Sequence, residues 1–234
     1  MEGTHQMMGY DRASTMFSPD GRLLQVEYAK EAVKQGSPAI GVVCKDGVIL
    51  VADKRIADKL VVAEAVEKIF QVDKHMGATA TGYIMDGRIL IERAQLIAQQ
   101  HQITYSVPMD TVALVKEISD IKQSYTQYGG ARPFGVSILF VGIDDERPVL
   151  YVTEPTGIFF EYKATALGEG SEAIKDLLQK EYSENMSMDD GIKLCVRALK
   201  AVLGKEFDAR RIDGAYVDIK DKTYKVIDKK KFKV

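Results

Sequence analysis

Two β-branched runs, AIGVVC (39–44) and VILVAD (48–53), are separated only by Lys45-Asp46-Gly47. An Asp-Gly step between such runs is a hairpin signal. A gap this short can join only antiparallel neighbours, since a parallel crossover takes a dozen residues or more. The same restriction recurs downstream, where FGVSILFVGI (134–143), VLYVTE (149–154) and GIFFEYKATAL (157–167) are linked by the turns DDERP and PTG. These read as an antiparallel meander, which excludes a doubly wound parallel sheet.

The rest of the chain supplies the covering layers. Ser18-Pro19-Asp20-Gly21 is dense in turn formers. A helix is expected from about 22 to 35, with Gly36 placed to end it in the left-handed conformation. Its apolar residues fall at Leu24, Tyr28, Ala32 and at Val26, Ala29, Val33, both at helical steps. Strands KIFQV (68–72) and ATATGY (78–83) precede two helical patterns at about 86–102 and 110–127. In the second, Asp110 is the expected N-cap, and Leu114, Val115, Ile118, Ile121 and Tyr125 share one side. Helices near 171–183, with Ser171 as N-cap, and 188–204 lead to strands at about 213–219 and 223–228. Strands followed by a helix pair occur twice. The arrangement that buries every apolar face is α+β: a four-layer α-β-β-α sandwich of two antiparallel sheets. With 234 residues and 46% apolar content, the chain can fill one such core. The expected organisation is a mobile segment at 1–12 and a single domain over 13–234 that includes the N-terminal helix.

Charge and composition exclude several functions. The formal net charge is only −2, without the clustered positive surplus that phosphate binding needs, so no nucleic-acid partner is expected. Lys229-Lys230-Lys231 reads as a solvated tail. The longest aliphatic runs are strand-sized, so no membrane partner is expected. Cys44 and Cys195 lie far apart in apolar settings, which fits a reducing, cytoplasmic location. His5, His75 and His101 share no ligand spacing, so neither a metal nor a cofactor is expected.

One constellation could carry chemistry. Ser37 begins a strand, Asp53 closes its partner, and Lys68 opens the next. A hydroxyl, a carboxylate and an ammonium at strand ends could form an activated nucleophile, but the base would be the free amine of Ser37. That requires cutting the chain before Ser37. The segment that would be discarded has a turn, a matched helix and a terminal glycine. A helix of about fifteen residues is marginal alone, so its apolar face needs a lasting partner in the domain or on a neighbouring protomer. Intact mass separates the readings, because an N-terminal-serine hydrolase must begin at Ser37. A free-standing peptide-binding module, monomeric without a ring, is a further alternative.

The segment YDRASTMFSPDGRLLQVEYAKEA (10–32) closely resembles the N-terminal signature of proteasome α subunits, and the chain looks most like the archaeal type. The resemblance runs on through ADKR (52–55), EKIFQVD (67–73), TQYGGARPFGVS (126–137) and EYKATALGEG (161–170). It implies the N-terminal-nucleophile hydrolase fold and a non-catalytic α subunit of a threonine-type protease complex. In that family the β subunits hold the activity. They begin with a freed threonine, and their acidic residue and lysine stand where this chain has Asp53 and Lys68. The implied partners are other α subunits in a seven-membered ring, β subunits, an ATPase activator and unfolded protein substrates in transit.

By the same resemblance, Tyr10, Asp11, Pro19 and Tyr28 match a cluster that holds the N-terminal tails in an open gate. Two phenols and a carboxylate can hydrogen-bond between neighbours, while proline stiffens the turn. Twelve residues reach about 40 Å when extended, enough to crowd an axial pore. Lys68, Gly36 and Gly82 match a pocket between subunits that receives the C-terminal carboxylate of an activator tail. One position departs from the pattern: Lys30 stands where archaeal relatives commonly carry arginine.

Overall fold

The computed structural model describes residues 9, 10, 12–56, 58 and 60–232. The chain opens with helix α1 (Leu24–Lys34), followed by β1 (Ala39–Cys44), β2 (Gly47–Asp53), β3 (Ile69–Asp73) and β4 (Met76–Gly82). Helices α2 (Ile84–Tyr105) and α3 (Thr111–Tyr125) come next, then β5 (Val136–Asp144), β6 (Arg147–Thr153), β7 (Phe159–Glu161) and β8 (Ala164–Leu167). Helices α4 (Ser171–Glu181) and α5 (Met188–Leu203) precede β9 (Ile212–Asp218) and β10 (Tyr224–Val226).

Two five-stranded sheets result, in the orders β10-β9-β2-β1-β8 and β3-β4-β5-β6-β7. Every pairing among the described residues is antiparallel. Short connections dictate this for β1–β2, β3–β4, β5–β6, β6–β7 and β9–β10, while β1–β8, β2–β9 and β4–β5 pair across longer stretches of chain. Val48, Leu50, Ala215 and Val217 of the first sheet meet Leu139, Val141, Leu150 and Val152 of the second in a shared apolar layer. The outer face of the first sheet is covered by Ile174, Leu178, Leu194 and Leu199 of α4 and α5. Leu90, Ala94, Leu114 and Ile118 of α2 and α3 cover that of the second. The four-layer sandwich is therefore the observed architecture. Covering on both faces explains why β2 is buried at all seven positions and reads as continuous aliphatic sequence rather than alternation.

Several elements differ from their sequence-based expectation for identifiable reasons. The run 157–167 is two strands in different sheets. Tyr162 N still donates to Leu150 O of β6 at 2.8 Å, whereas Lys163 O accepts from Val43 N of β1 at 2.8 Å. The chain changes sheets between these two residues. At α3, Asp110 occupies the N-cap position without a side-chain cap; Asp144, at the end of β5, does the capping. Its carboxylate accepts from Thr111 N at 2.9 Å, Thr111 Oγ1 at 2.6 Å and Val112 N at 3.3 Å. Ser171 is the first residue of α4, preceded by Gly170 at φ 70. The β5–β6 turn places both Asp145 and Glu146 at positive φ, the geometry of a tight two-residue hairpin made here without glycine.

Lys122 is a feature the apolar pattern of α3 did not announce. It is fully buried, and its Nζ donates to Val136 O and Thr153 O at 3.1 Å each and to Thr153 Oγ1 at 2.5 Å. Burial pulls its pKa down to about 7, while Glu154 opposes the shift. Three acceptors match the three donors of an ammonium, so α3 is pinned to the ends of β5 and β6.

Helix α1 runs from Leu24 to Lys34, slightly inside the expected 22–35, and buries Leu24, Val26, Ala29 and Val33. The turn before it is built on Ser18. Its N donates to Arg22 O at 2.9 Å and its Oγ accepts from Arg22 N at 3.1 Å. Gly36 does not take the left-handed conformation; the helix ends at Gln35 in the right-handed region. Glycine is needed there for another reason. An added Cβ would lie 2.5 Å from Gly82 N and 2.7 Å from Thr81 Cγ2. Gly36→Ala should therefore lower stability by about 1–3 kcal/mol through overpacking. Gly129→Ala, where a Cβ meets nothing within 4 Å, should stay within about 0.5 kcal/mol. Thermal or urea unfolding of the two variants checks this contrast.

Candidate functional site

The close approach of Gly36 to Gly82 sets the exit of α1 against the end of β4. A cleft of about 410 Å³ opens beside it, lined by Gly36, Ser37, Lys54, Arg55, Lys68 and Gly82 among others. The structure thus brings together Lys68, Gly36 and Gly82, which the sequence named as one set. Gly82 has φ 120, a region closed to side-chain-bearing residues, and an added Cβ would lie 2.3 Å from Gly135 O. Its neighbour Tyr83 lines the cleft and is braced by the 126–135 loop: Arg132 stacks 5.2 Å from the Tyr83 ring centroid while its fork grips Asp86 at 2.6 and 2.7 Å.

Lys68 sits just before β3. Its backbone is fixed on both sides, with N donating to Asp213 Oδ2 at 3.1 Å and O accepting from Thr79 Oγ1 at 2.8 Å. The residue is only 6% exposed, yet its Nζ has no hydrogen-bond partner among the described residues. Burial lowers its pKa from 10.5 to about 8; Asp53 pulls upward and Arg55 pushes further down. A buried amine without an acceptor is costly, and a carboxylate placed in the cleft would remove that cost.

Ser37 and Asp53 stand at the same end of the sheet, but Asp53 is committed elsewhere. Fully buried, it takes the fork of Arg211, Nε to Oδ1 and Nη2 to Oδ2, each at 2.6 Å. Ser37 is buried, and its carbonyl accepts from Thr81 Oγ1 at 3.3 Å. Arg211 and Arg55 were not singled out in the sequence. The first lies 158 positions from Asp53, beyond any local pattern, and the second belongs to ADKR, which carries no spacing signal of its own.

The four gate positions lie along the N-terminal segment. Tyr10 is half-buried in a turn, Pro19 is exposed in the Ser18 turn, and Tyr28 is 40% exposed on α1. Asp11 and residues 1–8 of the expected gate segment lie outside the described residues. Lys30 pairs within α1, its Nζ 3.7 Å from Glu27 Oε1. Among the described residues, no three His, Cys, Asp or Glu side chains form a group able to hold a metal, and no helix is long and apolar enough to cross a membrane. Cys44 and Cys195 are free and buried.

Comparison with known proteins resolves the constellation. A family model described as proteasome subunit matches residues 33–217, and the model of the N-terminal signature of α-type proteasome subunits matches residues 10–32. The chain belongs to the archaeal proteasome α-subunit family. It is 49% identical to a proteasome α subunit of Archaeoglobus fulgidus over 97% of this chain and 92% of the relative. It is 48% identical to one of Methanocaldococcus jannaschii over 93% and 83%. A proteasome α subunit of Pyrococcus abyssi is 47% identical over 94% of this chain and 84% of its own length. The α-type signature covers the segment that a self-processing serine hydrolase would have to discard, which sets that alternative aside. The chain is a non-catalytic subunit of the proteasome core particle, and Asp53 is paired with Arg211.

The buried amine has a measurable signature. Between about pH 8 and 10.5 the unfolded chain holds a proton on Lys68 that the folded chain has released, so this group makes stability rise with pH across that window. Lys68→Met should be more stable than wild type below pH 8, and its advantage should shrink towards pH 10.5. Melting temperatures of both proteins at pH 7 and pH 10 test the sign.

Proposed function

We propose that this subunit forms the outer rings of the core particle with other copies of itself, gates the passage of unfolded substrates, and docks the C-terminal tails of an ATPase activator. The observation that carries this reading is the buried, unpartnered Lys68 ammonium in a cleft floored by Gly36 and Gly82. An extended tail needs a cation for its carboxylate and a backbone it can approach closely, and this cleft offers both. A single charge-assisted hydrogen bond is worth about 1.5–3 kcal/mol, so one tail binds weakly. Several tails on one activator ring gain through effective concentration.

Contacts with other subunits find support on α2. Met85, Ile89, Leu96 and Ile103 are exposed and recur at helical spacing. Such an apolar stripe on a folded domain marks a surface that a partner covers. Burial of α1 on its domain side, with Tyr28 facing out, supports a helix that both belongs to the sandwich and meets a neighbour. Gating is assigned to segment 1–12 with Tyr10, Asp11, Pro19 and Tyr28, within one domain over 13–234 in a cytoplasmic particle.

Two measurements on the assembled particle test this reading. Lys68→Ala should bring the ratio of activator-stimulated to unstimulated peptide hydrolysis close to one, and a retained ratio counts against the tail pocket. Deleting residues 2–12 should speed entry of a fluorogenic peptide without any activator; an unchanged rate removes the gate from this segment.

A further inference from the structure

Arg55 stands where the cleft meets the end of α1. The chain leaves β2 at Asp53 and passes through Arg55 at φ 47, a left-handed conformation disfavoured for any residue with a side chain. A bond from Arg55 N to Asp53 Oδ1 at 3.1 Å holds it there. Strain of this kind persists where the surroundings over-determine it, and here it aims the guanidinium. Nη1 donates to Gln35 O at 2.9 Å, one of the carbonyls left without an intrahelical partner at the end of α1. Nη2 pairs with Glu169. Glu169 closes the circuit, its N donating to Gly36 O at 2.8 Å. A single arginine therefore ties together the last turn of α1, a carboxylate just before α4, and the wall of the cleft that holds Lys68.

We infer that Arg55 is a latch coupling occupancy of the Lys68 cleft to the position of helix α1: a carboxylate entering the cleft competes with Glu169 for the guanidinium and draws it off the Gln35 carbonyl. The inference rests on the reading of the cleft as a carboxylate site. Three features favour it. The competing pair is weak, since the Arg55 and Glu169 side chains are 43% and 66% exposed. Arg55 lines the cleft together with Lys68, and its charge acts on that lysine. Among the described residues no side chain caps the N-terminus of helix α1, so its C-terminal tether carries a larger share of its positioning.

The test uses the particle assembled from this chain and its β partner, with a labelled tail octapeptide bearing a free C-terminal carboxylate and the same peptide as its C-terminal amide. Binding is read by fluorescence anisotropy and gate opening by fluorogenic peptide hydrolysis. Glu169→Gln removes the competing charge, so the free-acid peptide should bind about two- to fivefold tighter, the equivalent of one exposed pair. Arg55→Met removes the tether, so unstimulated hydrolysis should rise towards the peptide-stimulated level while peptide binding persists. An unchanged dissociation constant in Glu169→Gln overturns the latch, and this exposed substitution decides the matter if Arg55→Met fails to assemble. Wild-type unstimulated and stimulated rates in Arg55→Met overturn it equally. The underlying site fails differently: the wild-type particle would bind acid and amide alike, or Lys68→Ala would bind the acid as well as before.

Discussion

The contact between the backbones of Gly36 and Gly82 is the constraint on which the site depends. It lets the exit of α1 press against the end of β4 with no side chain between them. Everything at that end of the sandwich takes its place from this approach: Ser37 enters the interior, Tyr83 becomes a rim, and the cleft gains a floor made of peptide groups. A methyl group on either residue would push helix and sheet apart.

Charge then decides what the groups at this end can do. The three groups that could have made a nucleophilic centre are present, but their pairings defeat it. Asp53 is neutralised by the fork of Arg211, and Ser37 contributes a hydrogen-bonded carbonyl. Lys68 is left as a cation of the cleft whose terminal atom lacks an acceptor among the described residues. A buried ammonium normally finds three acceptors, as Lys122 does among Val136 and Thr153. The contrast between the two lysines is physically informative. One stabilises the junction of α3 with its sheet, while the other carries an unmet electrostatic demand that an external carboxylate can satisfy.

Much of this architecture was legible in the sequence because it rests on local signals. Asp46-Gly47 between aliphatic runs, the DDERP turn, and the helical spacing of Leu114, Val115 and Ile118 each report a short-range preference, and together they dictate antiparallel sheets under helices. The N-terminal signature is long enough to reveal the family, and Lys68, Gly36 and Gly82 followed from it as one set. What escaped was set by partners distant in the chain. The capping of α3 by Asp144, the Asp53–Arg211 pair and the burial of Lys122 all depend on which elements the fold brings together. The role of Gly36 was misread for the same reason: a glycine after a helix looks like a terminator, whereas here it is a clearance. The division of 157–167 was hidden because its aromatic and aliphatic residues continue without a breaker through Tyr162-Lys163, where the change of sheet occurs.

That change of sheet has a mechanical consequence. Tyr162 is bonded to β6 and Lys163 to β1, so one peptide link rivets the two layers together. Sliding one sheet over the other would have to tear these bonds or stretch a covalent joint with no slack. The double layer therefore resists shear at this joint.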